Sequence, residues 1–213
     1  MQYRALRHAV VHGRRQISER PPTAFLDELI AWGKDAPDEI FEPRGHNNAY
    51  LAVHAVLGPY TNKLHRRAVM LEVMRVLAGF ESSWNWLEGV DTHPQRELKD
   101  AMTSETGAWQ VSANSMRHPE LRALVIARVG SDDPRKFQRA MKTDHRLAME
   151  YIARLLRNTI AANGPVKRHE IDVNVRRDAV EELLDLLNPR GSDWTFRKGQ
   201  YIVPFFPLDG KGP

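Results

Sequence analysis

Glu81 has the clearest potential for chemistry in this sequence, because it ends an apolar row. Met70, Met74 and Leu77 recur at helical spacing, and the next position of that row is Glu81. Desolvation disfavours a charged carboxylate, so a glutamate placed against apolar neighbours should have a raised pKa and hold a proton near neutral pH. The pattern therefore predicts a general acid. The alternative is a glutamate exposed at a frayed helix end.

Aromatic and polar residues are concentrated just after this glutamate. Trp84, Trp86 and Trp109 are three of the five tryptophans of the chain, and indole rings stack on sugars or pack in cores. The carboxylates between them are Glu88, Asp91, Glu97, Asp100 and Glu105. Gln110 and Ser112 add groups that can form hydrogen bonds. Together these side chains are typical of a carbohydrate-binding cleft.

The elements that would position these residues are mostly α-helices. Helices are expected over 23–32, 47–57, 63–80, 118–129, 134–141, 145–161 and 175–187. Thr23 is the expected N-cap of the first, and the third is nearly free of charge between Ala68 and Phe80, which indicates a buried helix. Residues 85–106 fit neither period and are expected to form a long loop with a small strand pair. A β-hairpin is expected over 194–206.

Composition excludes several classes of protein. The chain has 213 residues, a formal net charge of +4 and no cysteine, so disulfide scaffolds, thiol nucleophiles and Cys-ligated zinc are excluded. No apolar run approaches the roughly 18 residues that a membrane span needs. The basic N-terminus lacks the apolar core of a signal peptide. We therefore expect a protein that is made in the cytoplasm and reaches any external target without a signal peptide.

Three motifs, in order, resemble those of goose-type lysozymes and lytic transglycosylases. Glu81-Ser82-Ser83 is similar to the family's Glu-Ser motif at the end of a buried helix. Residues 107–112 (Gly-Ala-Trp-Gln-Val-Ser) are similar to Gly-Leu-Met/Phe-Gln-Ile/Val-Ser. Residues 160–165 (Ile-Ala-Ala-Asn-Gly-Pro) are similar to Ala-Tyr-Asn-Gly-Gly/Pro, with Ala162 where the family usually has tyrosine.

The resemblance covers about residues 64–166 and implies a mostly α, lysozyme-like domain. The whole chain, 1–213, would form this single domain, with 1–60 and 170–213 as appended segments. By a looser analogy, sugar-cleaving effectors of type VI secretion systems often carry such extra helices, which would add an immunity protein or a larger delivered chain to the partners.

The implied reaction is that of a muramidase, which cleaves the β-1,4 bond between N-acetylmuramic acid and N-acetylglucosamine in peptidoglycan. Glu81 would protonate the departing oxygen, and Asp91 and Glu105 are the candidates for a second carboxylate. Lytic transglycosylases dispense with that carboxylate because the 6-hydroxyl of the substrate attacks. The acidic residues between 88 and 105 favour hydrolysis.

The resemblance also implies a set of substrate-binding residues: Ser82, Trp84, Trp109, Gln110, Ser112, Tyr151 and Asn163. The aromatic members would form the cleft walls, with Asn163 as a polar wall residue, and Gln110 and Ser112 would hydrogen-bond the sugar. A core position is the alternative for Trp84. Ser82 would cap the helix or orient Glu81.

Other signals are weaker. His8 and His12 have metal-ligand spacing but no third ligand nearby, so neither a metal nor another cofactor is predicted. The arginine pairs at 14–15, 66–67 and 176–177 could contact nucleic-acid phosphates, but solvated helix faces are the preferred interpretation. Peptidoglycan is the expected partner, and neither a nucleic acid nor a membrane span is expected. A lytic transglycosylase and a non-catalytic wall-binding module remain the alternatives.

Overall fold

The computed structural model of the chain describes residues 3–12, 17–89 and 100–188. The described part is mostly α-helical, as predicted. Its helices are α1 (Thr23–Asp35), α2 (Ala49–Ala52), α3 (His54–Leu57), α4 (Lys63–Ser82), α5 (Pro119–Val129), α6 (Pro134–Thr143), α7 (His145–Asn158), α8 (Gly164–Lys167) and α9 (Arg177–Leu187). Short 3-10 helices cover Asp38–Phe41 and Ala113–Arg117.

Several helix ends differ from the sequence prediction. Pro22, rather than Thr23, occupies the N-cap of α1, without a side-chain cap bond. The helix expected over 47–57 is broken at Val53 into α2 and α3. α7 ends at Asn158 because Thr159 is extended and forms a parallel bridge with Asn47. The short helix α8 was not predicted.

α4 is the central helix of the fold. Every residue from Arg67 to Gly79 is buried, and α4 contacts α1, α2, α7, α8 and α9. The Asn62 side chain caps its first turn by accepting a hydrogen bond from the His65 amide at 2.9 Å. The prediction of a buried helix is confirmed, and the helix runs two residues further than expected, to Ser82.

Two short antiparallel strand pairs complete the described fold. β1 (Val10–His12) pairs with β2 (Ile17–Glu19), which was not predicted. β3 (Glu105–Thr106) pairs with β4 (Val111–Ser112), so that Glu105 lies opposite Ser112. A small strand pair was expected within 85–106; β3 lies at the end of that range and β4 lies beyond it. The hairpin expected over 194–206 lies outside the described residues.

One hydrophobic core connects the described elements. It extends along the sequence from Tyr3 to Leu187 and includes residues of α1, α4, α7 and α9. Among the described residues, no helix combines the length and the apolarity needed to cross a bilayer.

Candidate active site

Glu81 lies in the last turn of α4 and is half-buried. Its pKa is raised from 4.5 to about 7. Burial is the largest cause, the negative charge of Glu105 adds to it, and the charges of Arg168 and Glu170 act in opposite directions. No described residue donates to this carboxyl group a hydrogen bond that would favour its ionised form. Glu81 can therefore carry a proton near neutral pH.

Glu105 is the candidate second carboxylate that the structure brings to Glu81. It is exposed at the start of β3, and its charge acts on the Glu81 carboxyl. The chain just after α4 contacts the β3–β4 turn, because the Gly107 amide donates a hydrogen bond to the Glu88 carbonyl at 2.9 Å. Asp91, the other candidate, and Glu97 lie outside the described residues.

Arg168 and Glu170 complete the charged groups around Glu81, and sequence reasoning missed both. Arg168 donates to Glu170 through Nε at 2.7 Å and Nη2 at 3.1 Å. The Arg168 guanidinium lies over the start of α8, where a Cβ on Gly164 would come within 2.7 Å of Nη1. The sequence signal that could have identified Arg168 and Glu170 is their position soon after the third motif, which ends at residue 165.

Ser82 connects the end of α4 to the loop that follows β3. Its hydroxyl is within 2.8 Å of the Ala108 carbonyl and 3.2 Å of the Ala78 carbonyl, and it accepts a hydrogen bond from the Asn85 amide at 3.1 Å. With its oxygen engaged in this way, Ser82 acts as a brace between the two loops. None of these bonds reaches the Glu81 carboxyl, so an orienting role of Ser82 on Glu81 stays a prediction, and the engaged hydroxyl is poorly placed to bind substrate.

Trp84 and Trp109 are core residues, which corrects the expectation that they form cleft walls. Their exposed fractions are 4% and 3%, and both indole N–H groups bond to backbone carbonyls of α4. Side chains with so little exposed surface cannot stack on a sugar ring in this conformation. The alternative that was left open for Trp84, a core position, is the observed one.

Trp86 is half-buried and belongs to the same aromatic group. Its ring stacks on His145 with a centroid distance of 3.8 Å and an interplanar angle of 7°, and it meets Trp109 edge-on at 5.3 Å. His145 also lies 2.5 Å from Glu28 of α1. These contacts attach the chain just after α4 to both α1 and α7.

Tyr151 and Asn163 are also buried, and the expectation that they line the cleft is corrected. Tyr151 has no exposed surface, and its hydroxyl lies 2.7 Å from the Ser115 hydroxyl. Asn163 is 4% exposed, and its Nδ2 has no hydrogen-bond partner in the described structure. In this conformation neither side chain can reach a substrate.

Gln110 and Ser112 are half-buried beside the β3–β4 turn. Gln110 has a left-handed φ of 45°, and its Nε2 donates to the Gly107 carbonyl at 2.8 Å. The Ser112 hydroxyl bonds to Asn114 at 2.8 Å. Gln110 thus stabilises the turn, whereas Ser112 bonds to the 3-10 helix that follows β4. Both side chains keep surface through which a substrate could exchange for these local bonds.

The site offers carboxylates and one guanidinium rather than a metal cage. Within the described ranges, no three His, Asp or Glu side chains are grouped closely enough to hold a metal ion. His8 lies 3.5 Å from Asp178.

Comparison with protein-family models, curated proteins and solved structures gave no match. A half-buried carboxyl with a pKa of about 7, near an exposed carboxylate, is able to donate a proton to a leaving group, and the carboxylate is able to assist a nucleophile.

Proposed function

We propose that this chain is a lysozyme-like peptidoglycan hydrolase in which Glu81 is the general acid. The observation that carries the proposal is the raised Glu81 pKa, about 7, at the end of a buried helix. Because a general acid works best when its pKa is near the operating pH, this value suits proton donation at neutral pH. The resemblance of the three motifs supplies the substrate class.

The proposed reaction cleaves the β-1,4 bond between N-acetylmuramic acid and N-acetylglucosamine. Glu81 gives its proton to the glycosidic oxygen as the bond breaks. Glu105 is the second carboxylate, which either attacks the sugar as a nucleophile or activates water. If Glu105 is a nucleophile the product keeps its anomeric configuration, and if it activates water the configuration inverts. The anomer of the first product therefore identifies the role of Glu105.

The test is digestion of purified sacculi with four proteins: the wild type, Glu81→Gln, Glu105→Gln and the control Glu181→Gln, which makes the same change at an exposed position on α9. Turbidity measures solubilisation and mass spectrometry identifies the products. We expect reducing muramic ends from the wild type and the control. We also expect a fall of about 10² to 10⁴-fold with Glu81→Gln.

Three outcomes would contradict this proposal in different ways. Products lighter by one water, made at full rate by Glu105→Gln, would identify a lytic transglycosylase. Sedimentation of the protein with sacculi, without release of fragments, would identify a wall-binding module. Full activity of Glu81→Gln would remove Glu81 from the mechanism.

A further inference from the structure

Two buried indole groups bond to consecutive carbonyls of α4. Trp109 Nε1 donates to the Met74 carbonyl at 2.8 Å, and Trp84 Nε1 donates to the Arg75 carbonyl at 2.9 Å. A carbonyl oxygen has two lone pairs, so a helical carbonyl can accept such a bond in addition to its intrahelical one. Both bonds reach the half of α4 that carries Glu81.

The Trp84 bond fixes the chain that leaves α4. Ser83 and Trp84 have left-handed φ values of 54° and 60°. These two residues turn the chain back, so that Trp84 packs against Gly79 of α4. The indole ring then lies directly on Gly79, where a Cβ would come within 2.8 Å of three ring atoms. Gly79 is therefore required for this close approach, and the ring supports the last turn of α4 from below.

The Trp109 bond fixes a different loop, the one that follows β3. Trp109 lies in the turn between β3, which begins with Glu105, and β4. Gly107 starts this turn with a left-handed φ of 72°. The turn cannot move away from α4 without breaking the indole bond, so the turn that follows Glu105 is tied to the helix that carries Glu81.

We infer that Trp84 and Trp109 are positioning residues that together set the separation of the Glu81 and Glu105 carboxyl groups. Neither ring would touch substrate, because both are buried. The inference rests on the proposed function, in which that separation decides how the second carboxylate acts: about 5 to 5.5 Å suits a nucleophile and about 6.5 to 9.5 Å leaves room for water. A displacement of about 1 Å in such a site reduces the rate by about 10²-fold.

The test replaces each indole by a smaller ring that cannot donate: Trp84→Phe and Trp109→Phe. The control is Trp32→Phe, because Trp32 is also buried, at 3% exposure, but lies in α1 and its indole has no hydrogen-bond partner in the described structure. Melting temperature, kcat and KM on soluble glycan fragments are measured for all three. We expect kcat to fall about tenfold for the two site variants with KM within about twofold, and the control to keep the wild-type kcat.

The second readout does not depend on activity. Titration of the Glu81 carboxyl by ¹³C NMR measures its pKa, which depends on its burial and on the charge of Glu105. We expect its midpoint to fall by about one pH unit in Trp84→Phe and Trp109→Phe, since a looser site is better solvated, and to stay unchanged in Trp32→Phe.

These readouts separate the inference from the proposed function. Lower melting temperatures with an unchanged kcat and an unchanged Glu81 midpoint would show that both tryptophans only stabilise the core, and would overturn the inference. If the wild type releases no fragments, the proposed function fails. The Glu81 titration then decides alone: a lower midpoint in both site variants supports positioning, and an unchanged midpoint overturns it.

Discussion

At the scale of single residues, the Glu81 carboxyl is controlled by burial and by three neighbouring charges. Burial and the charges of Glu105 and Glu170 raise its pKa, and the charge of Arg168 lowers it. A proton donor for a glycosidic bond needs this balance, because too low a pKa leaves no proton at neutral pH and too high a pKa makes the acid weak.

The two members of the Arg168–Glu170 pair have opposite effects on the Glu81 pKa, so removing one or the other should shift that pKa in opposite directions. Arg168→Gln removes a positive charge and should raise it, whereas Glu170→Gln removes a negative charge and should lower it, each by about half a pH unit because both groups are exposed. The measurement is the upper limb of the profile of kcat against pH. Arg122→Gln is the control, since Arg122 forms a similar exposed pair with Asp132. A shift of the same sign in both site variants would contradict the assignment.

The raised Glu81 pKa should also appear in stability. A carboxyl with a pKa of about 7 in the folded state and 4.5 as its ordinary value binds more protons when folded, so its contribution to stability is present below pH 4.5 and is lost as pH rises through 7. Glu81→Gln has no such loss. We expect the variant to be more stable than the wild type by about 2 kcal/mol at pH 8, with little difference at pH 4, in urea unfolding. An equal difference at both pH values would show that Glu81 does not titrate this way.

At the scale of elements, helical spacing predicted the long helices and the position of Glu81. The row of Met70, Met74 and Leu77 depends only on one face of one helix, so the sequence carries it directly. α8 was missed because four residues show no period. The break at Val53 was missed because it lies within a continuous apolar pattern.

The roles of the tryptophans could not be predicted from the sequence. Spacing shows that Trp84 and Trp109 are near Glu81 along the chain, but an indole near a site can face substrate or core. The decision depends on the left-handed turn at Ser83 and on carbonyls of α4 that lie many residues away from Trp109. Tyr151 is buried for a similar reason, since its hydroxyl finds a partner in Ser115, 36 positions away.

Gly79→Ala tests the fit between α4 and the chain that returns beneath it. Alanine is the better helix former by about 1 kcal/mol, but here its Cβ would overlap the Trp84 ring. We expect a net loss of about 1 to 2 kcal/mol in urea unfolding, because overpacking outweighs propensity. In the Trp84→Phe background the loss should shrink, since the smaller ring leaves room. A stabilising effect in the wild-type background would show that the ring moves aside freely.

At the scale of the whole molecule, the described parts of the segments expected as appendages, within 3–60 and 170–188, contribute to the same core as the motif-bearing region. Leu6 and Val10, before α1, and Leu183, in α9, are buried with the residues of α4. A buried ion pair joins the same parts: Glu72 accepts from Arg75 Nε at 2.7 Å and from the Arg176 amide at 3.0 Å. Arg75 in turn donates to the His8 carbonyl at 3.3 Å.

The Glu72–Arg75 pair should therefore behave as one unit that holds the segments around His8 and Arg176 against α4. Arg75→Met leaves a buried carboxylate without its partner and should lower the free energy of unfolding by about 3 to 5 kcal/mol, whereas the double variant Glu72→Leu/Arg75→Met leaves no buried charge and should lose much less. Arg122→Met, at an exposed pair, should lose about 1 kcal/mol or less. Urea unfolding measures all three. If the double variant lost as much free energy of unfolding as Arg75→Met, the penalty would come from lost packing and lost hydrogen bonds to His8 and Arg176 rather than from an unpaired charge.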